Sequence, residues 1–169
     1  MNILAKQLKL SMNVNNGIMN SIPFETQQLK QVDIYKKVFG RYKHDKYLQG
    51  WKRAYVKRIF KDMYLKKDGA LLDVGTGSGF ISIAASKEGM FSVGVDISPE
   101  SIRLCKKFAK IELGRNAIKK TKFVVADAEK SFPFSSNSFD RIVSIALLEH
   151  IPNDEKTISE IVRVLKKKA

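Results

Sequence analysis

After residue 70 this sequence alternates short apolar runs with amphipathic ones, and three of the four apolar runs stop at or beside an aspartate. Ala70-Leu71-Leu72-Asp73-Val74 has the texture of a strand running into the turn Gly75-Thr76-Gly77-Ser78-Gly79. Residues 80–88 follow as a helix closed by Gly89, and Phe91 to Val95 as a second strand ending at Asp96. Ser98 then supplies an N-cap and Pro99 the first helical position of a helix. That helix carries Ile102, Leu104, Cys105, Phe108, Ala109 and Ile111 to a stop at Gly114. Lys122 to Val125 is predicted as a third strand ending at Asp127, Phe139 to Ile145 as a fourth, and Asp154 to Leu165 as a last helix. Strands this apolar must be covered on both faces, so the pattern predicts a parallel, doubly wound α/β sheet.

The first two-fifths of the chain differ in texture. Residues 1–30 are rich in Asn, Gln and Met without clear periodicity, and we expect a mobile arm there. Residues 31–69 read as short helices, with Val32, Tyr35, Val38, Phe39 and Tyr42, then Trp51, Tyr55, Ile59, Met63 and Tyr64, at helical spacing. This segment is too thin in core to stand alone, so it is expected to cap the α/β domain of residues 70–169. Of the formal charge of +14, residues 1–69 contribute +10 (15 basic, 5 acidic) and residues 70–169 only +4 (16 basic, 12 acidic). The basic excess suits nucleic acid, an anionic surface or an acidic ligand, or simply a lysine-rich exterior. Its place is the N-terminal part. One cysteine excludes an intramolecular disulfide, and with two histidines it leaves little for a structural zinc, so no metal is expected. No apolar run approaches the roughly 20 residues of a membrane span. The start, MNILAKQLKL, lacks a signal-peptide core, and the expected location is the cytoplasm.

In open α/β sheets ligands bind beyond the carboxyl ends of the strands. Here those ends present Asp73 with the glycine turn, then Asp96, then Asp127-Ala128, then Ile145 to His150. Asp96 lies 21 residues after Gly75, where a carboxylate would meet a ribose diol. The turn is G-x-G-x-G rather than G-x-G-x-x-G, and no G-K-[ST] follows it, which excludes a P-loop. Asp73 would repel a pyrophosphate and suits an ammonium or sulfonium. Charge therefore favours a cationic, adenosine-bearing cofactor such as S-adenosylmethionine over NAD. Asp73 has a second reading, as an internal acceptor for the loop.

LLDVGTGSGF and GVDISPESI resemble the first two motifs of class I S-adenosylmethionine-dependent methyltransferases, and ADAEKSFPFSSNSFDRIVSIALLEHIPN resembles the third and fourth. The likeness covers residues 70–165. It implies a Rossmann-like sheet of order 3-2-1-4, S-adenosyl-L-methionine as cofactor and S-adenosyl-L-homocysteine as product. It also implies that Gly75, Thr76, Gly77 and Gly79 pass the methionine part, with Asp73 beside them. Asp96 would bind the ribose hydroxyls and Ile97 would pack on the adenine. Asp127 and the Ala128 amide would read the adenine edge, and Ala146 and Leu147 would line the far side. More loosely, YKKVFGRYKHDKYLQGWKRAYV is similar to the N-terminal segment of ubiquinone/menaquinone-type C-methyltransferases. Members of the family continue after the last helix into three more strands, where this sequence has Lys166-Lys167-Lys168-Ala169. The expectation is a sheet lacking its C-terminal strands, with an apolar fourth strand at an edge. A partner, a second copy or the N-terminal arm would cover that edge.

Methyl transfer from a sulfonium is an in-line displacement that needs alignment and a dry site, and a base only where the nucleophile must lose a proton. His150 is the natural base, with capping or a structural hydrogen bond as its other reading. Tyr35, Tyr42 and Trp51 are candidates for the substrate lid or for simple core. The leading function is methyl transfer to a small molecule. The alternatives are an RNA methyltransferase, from the basic and aromatic N-terminal segment, and a non-catalytic cofactor-binding subunit of a larger complex.

Overall fold

The computed structural model describes residues 50–167, Trp51 by its backbone alone. Its elements are α1 (Gly50–Asp62), β1 (Ala70–Val74), α2 (Phe80–Lys87), β2 (Phe91–Asp96), α3 (Pro99–Glu112), α4 (Arg115–Lys119), β3 (Thr121–Val125), β4 (Arg141–Ser144), a 3-10 turn (Leu148–His150) and α5 (Asp154–Val164). The four strands are all parallel, as the sequence pattern predicts, and lie in the order β3-β2-β1-β4 that the family resemblance implies. Register places Leu72 between Val93 and Ile142, and Asp73 between Gly94 and Val143.

Alternation along β1 separates two cores. Leu71 faces α1 and α2, where it packs with Val56, Ile81, Ala85, Met90 and Val143. Farther along that face, Phe123 meets Ile102, Cys105 and Phe108 of α3. Leu72 and Val74 face the opposite way, onto Val95, Phe132, Phe139 and Val164. Both layers close because β1 is apolar on each side, so Leu71, Leu72 and Val74 retain no exposure. Residues 126–140 cross from β3 to β4 without a helix, and Phe132, Phe134 and Phe139 fill the place a helix would take. Phe134 and Phe139 meet edge to face at 5.1 Å.

Start and stop chemistry accounts for the boundaries. The Ser98 hydroxyl accepts from the Ser101 amide at the head of α3, and Asn153 caps α5 by accepting from the Lys156 amide. The fourth strand differs from expectation at both ends. It begins at Arg141 rather than Phe139. Before it, the Ala70 amide donates to the Asp140 carboxylate at 2.8 Å, and the Phe139 backbone bridges Leu165 while its ring stays in the core. It ends at Ser144, because Ala146 adopts a left-handed φ of 52° that no strand continues through. The short helix α4 was not foreseen, since five residues are too few to show a period.

The segment 50–65 lies on the sheet rather than apart from it. Arg141 Nε donates to the Met63 carbonyl at 2.6 Å, and Lys52 Nζ sits 5.6 Å from the Phe80 ring centre. The arm of residues 1–30 and the cap residues 31–49, including Tyr35 and Tyr42, lie outside the described residues, as does the Trp51 side chain. Among the described residues β4 has β1 as its strand neighbour, and residues 164–166 bond to Ser138 and Phe139 just before the strand. No helix among the described residues is long and apolar enough to cross a membrane.

Candidate cofactor site

The carboxyl ends of β1, β2, β3 and β4 converge on a cleft enclosing about 700 Å³ including its open mouth. Nine residues singled out from the sequence line it: Gly75, Gly77, Asp96, Ile97, Asp127, Ala128, Ala146, Leu147 and His150. Sequence reasoning missed Val95, Ala126, Glu129 and Ile151, which also line it. Their only signal was adjacency to strand ends already marked.

Gly75 has φ 74°, and a Cβ there would meet Leu147 carbon atoms at 3.1–3.2 Å. The glycine therefore lets Leu147 lie directly across the loop. The carboxylate of Asp96 is clasped by two amides: Gly77 donates to Oδ2 and Ser98 to Oδ1, each at 2.9 Å. Each oxygen keeps a lone pair beyond these bonds, an arrangement that suits two adjacent hydroxyls. Burial pushes the Asp96 carboxyl upward from its ordinary value, and the two amides hold it back.

Asp73, Thr76 and Gly79 lie beneath the loop instead of on the cleft wall. Asp73 Oδ2 accepts from Thr76 Oγ1 at 2.6 Å and from Ser82 Oγ at 2.9 Å. The Ser82 amide, in the first turn of α2, also bonds to this carboxyl group. Gly79 at the head of α2 offers no side-chain cap, so Asp73 caps that helix from the strand. Its alternation along β1 dictates this, since Asp73 shares the face of Leu71 that α2 covers. Burial pushes the Asp73 carboxyl up to about 6 against the pull of those hydrogen bonds.

Two further residues support the loop. A Cβ on Gly94 would lie 2.6 Å from Thr76 Oγ1 and 2.9 Å from Ser82 Oγ, so this glycine makes room for the hydroxyls that satisfy Asp73. Cys105 is fully buried and its thiol donates to the Gly77 carbonyl at 3.2 Å. A glycine inside a strand was the available signal for the first. Nothing marked the second beyond its apolar helix face.

The lining has a definite electrostatic sense. Asp96, Asp127 and Glu129 face the cleft, and among the described residues no Lys or Arg lines it. A chain with an excess of cations thus presents carboxylates to its ligand, which opposes a pyrophosphate and suits a cation. The apolar walls from Ile97, Ala128 and Leu147 suit an aromatic base. The residues present therefore fit S-adenosylmethionine: carboxylate for the diol, apolar slot for the adenine, glycine backbone and negative field for the cationic end. Among the described residues no group of three or more His, Cys, Asp and Glu could hold a metal ion.

Fold and site together define a Rossmann-like protein built for an adenosine-bearing, cationic cofactor. The match to a family model places it more narrowly: over residues 72–169 the chain belongs to the methyltransferase domain family. S-adenosyl-L-methionine is the methyl donor that this family implies. Among curated relatives, ajmaline N-methyltransferase of Rauvolfia serpentina is 35% identical over 106 residues, covering 62% of this chain and 35% of the relative. The ubiquinone/menaquinone biosynthesis C-methyltransferase UbiE of Rickettsia prowazekii is 33% identical over 119 residues, covering 64% and 46%. The crystal structure of the PH0226 protein from Pyrococcus horikoshii superposes with a TM-score of 0.62 at 30% identity, covering 79% of this chain and 61% of that one. The chain spans a third to a half of the length of the curated relatives it matches.

Proposed function

We propose that this chain serves transfer of a methyl group from S-adenosyl-L-methionine to a small-molecule acceptor by in-line displacement. The observation that carries the reading is Asp96, held by the Gly77 and Ser98 amides at the end of β2 in a cleft that no Lys or Arg among the described residues lines. When bound, the cofactor supplies an electrophilic methyl on a cationic sulfur whose departure leaves a neutral thioether. Everything else is positioning. Asp96 accepts from the ribose hydroxyls, Ile97 and Leu147 sandwich the adenine, and Asp127 with the Ala128 amide meets its polar edge. The backbone at Gly75 and Gly77 passes the amino-acid end. Alignment of this kind is worth roughly 7–11 kcal/mol of barrier where the reacting atoms are held in line.

His150 lies at the exposed rim of the cleft, where it can take a proton from an acceptor that must lose one. The proposed lid over the acceptor comes from the N-terminal segment, with Tyr35, Tyr42 and Trp51 as its candidate residues. Met63 and Tyr64, hydrogen-bonded to Arg141 at the start of β4, lie at the opposite edge of the sheet and are not part of it. A small-molecule acceptor is favoured by relatives whose names specify ajmaline and ubiquinone/menaquinone biosynthesis. Calorimetry with S-adenosylmethionine, S-adenosylhomocysteine and NAD tests the cofactor. Heat with the first two alone supports the reading, and heat with NAD alone overturns it. Labelled methyl donor offered with panels of small phenols, amines and quinols, and separately with RNA, then tests the acceptor class. Label entering RNA and no small molecule would replace the acceptor half of the proposal.

A further inference from the structure

One wall of the cleft is held from a distance. Thr157 lies one turn into α5 with no solvent exposure, and its Oγ1 donates to the Ala128 carbonyl at 2.9 Å. A helical threonine commonly bonds a carbonyl of the preceding turn of its own helix. This one reaches instead to a residue 29 positions earlier. The Ala128 carbonyl and the Glu129 amide belong to one peptide unit. The Glu129 N–H of that unit donates to Asp127 Oδ1 at 3.0 Å. The peptide is thus gripped at both ends, by Thr157 at its oxygen and by Asp127 at its nitrogen. The second grip also fixes the Asp127 carboxylate. Beside it, the Asn153 amide at the head of α5 donates to Glu129 Oε1 at 3.2 Å.

We propose that Thr157 is a positioning residue for the adenosine end of the cofactor, acting through the Ala128–Glu129 peptide on the orientation of Asp127 and Ala128. The inference rests on the cofactor reading above. Thr157 itself does not line the cleft. The hydroxyl supplies the donor for a carbonyl at the cleft wall, and the methyl beside it is buried with no solvent exposure. Valine keeps a methyl there and removes the donor. The Ala128–Glu129 peptide is then free to rotate and Asp127 loses its fixed partner.

The test uses the full chain with Thr157→Val, Thr157→Ser and Thr157→Ala. Calorimetry with S-adenosylhomocysteine and with 5′-methylthioadenosine measures binding, and amide hydrogen exchange across residues 126–130 of the ligand-free protein measures the clamp. Loss of one such hydrogen bond corresponds to about a tenfold effect. Thr157→Val is expected to bind both ligands about tenfold more weakly, with the Glu129 amide exchanging about tenfold faster. The equal loss for both ligands places it at the adenosine end. Thr157→Ser should stay within about twofold of the native chain, because it keeps the donor. If valine impairs folding, Ser and Ala carry the same comparison, since they differ by the hydroxyl alone. Native binding and exchange in Thr157→Val, or a serine variant as impaired as valine, overturns the positioning role alone. Failure of the native chain to bind either ligand overturns the cofactor reading and the positioning role with it, even where the exchange result stands.

Discussion

Replacing Asp73 by Asn tests the internal cap most directly, because the effect should appear in the pH dependence of stability. The carboxyl group is 3% exposed and is pushed from an ordinary 3.8 to about 6, with burial the dominant cause. The folded state therefore holds this proton more tightly than the unfolded state. Stability from the site is fully present below pH 3.8 and is lost as pH rises through about 6. At about 1.4 kcal/mol per pH unit, the loss amounts to about 3 kcal/mol. Asparagine has no proton to release, so Asp73→Asn should gain about 3 kcal/mol relative to the native chain between pH 3.5 and pH 7.5. Its amide nitrogen facing the Ser82 N–H costs about 1–3 kcal/mol, but at every pH alike. Asp96, Asp140 and Glu160 titrate in both proteins and cancel in the difference to first order. Urea unfolding followed by circular dichroism at four or five pH values measures that difference. A gap constant to within about 0.5 kcal/mol across the range would refute the reasoning, because a buried, proton-retaining carboxyl cannot produce parallel curves.

Asp96→Asn should weaken S-adenosylhomocysteine about 10- to 100-fold by calorimetry, since hydrogen bonds to a charged group contribute about 1.5–3 kcal/mol. Gly94→Ala drives a methyl to 2.6 Å from Thr76 Oγ1 and 2.8 Å from Phe123 Cδ1. It should cost about 1–3 kcal/mol in urea unfolding, and a variant as stable as the native chain would show that the loop below Asp73 is not tightly packed. Glu160 accepts from Arg163, the Phe132 amide and Ser131, which together hold its carboxyl down from 4.5 to about 2. Its contribution is present above pH 4.5 and lost as pH falls toward 2, so the deficit of Glu160→Gln, about 1–2 kcal/mol at pH 7, should shrink on acidification.

How much of this was legible beforehand follows from what local patterns encode. Period-2 and period-3.6 hydrophobicity, the Ser98-Pro99 start and the run of apolar residues in β1 are properties of neighbours along the chain, and they sufficed for the sheet and its ligand edge, while its strand order followed from the family resemblance. Eight of the cleft residues followed because strand ends in such a sheet must converge, and Ile97 followed from the family resemblance. Both ends of β4 differ from the expectation, because Ala146 carries no local mark of its left-handed backbone and the Phe139 backbone pairs with Leu165 rather than continuing the strand.

The sequence by itself determined the α/β architecture, the glycine turn and the three aspartates that face or underlie one edge. Tertiary structure decided what each aspartate does. Asp73 turns inward because its strand position puts it under α2, and Gly94 on the neighbouring strand leaves space for its partners. Asp96 turns to the cleft because the Gly77 and Ser98 amides converge on it from two separate turns. Asp127 is set by a peptide that a helix 29 residues downstream holds in place. Hydrophobic period fixes which face a side chain takes, a property of one strand or helix alone. Hydrogen-bond partners depend on where other elements come to rest, and that is settled only when the two cores close.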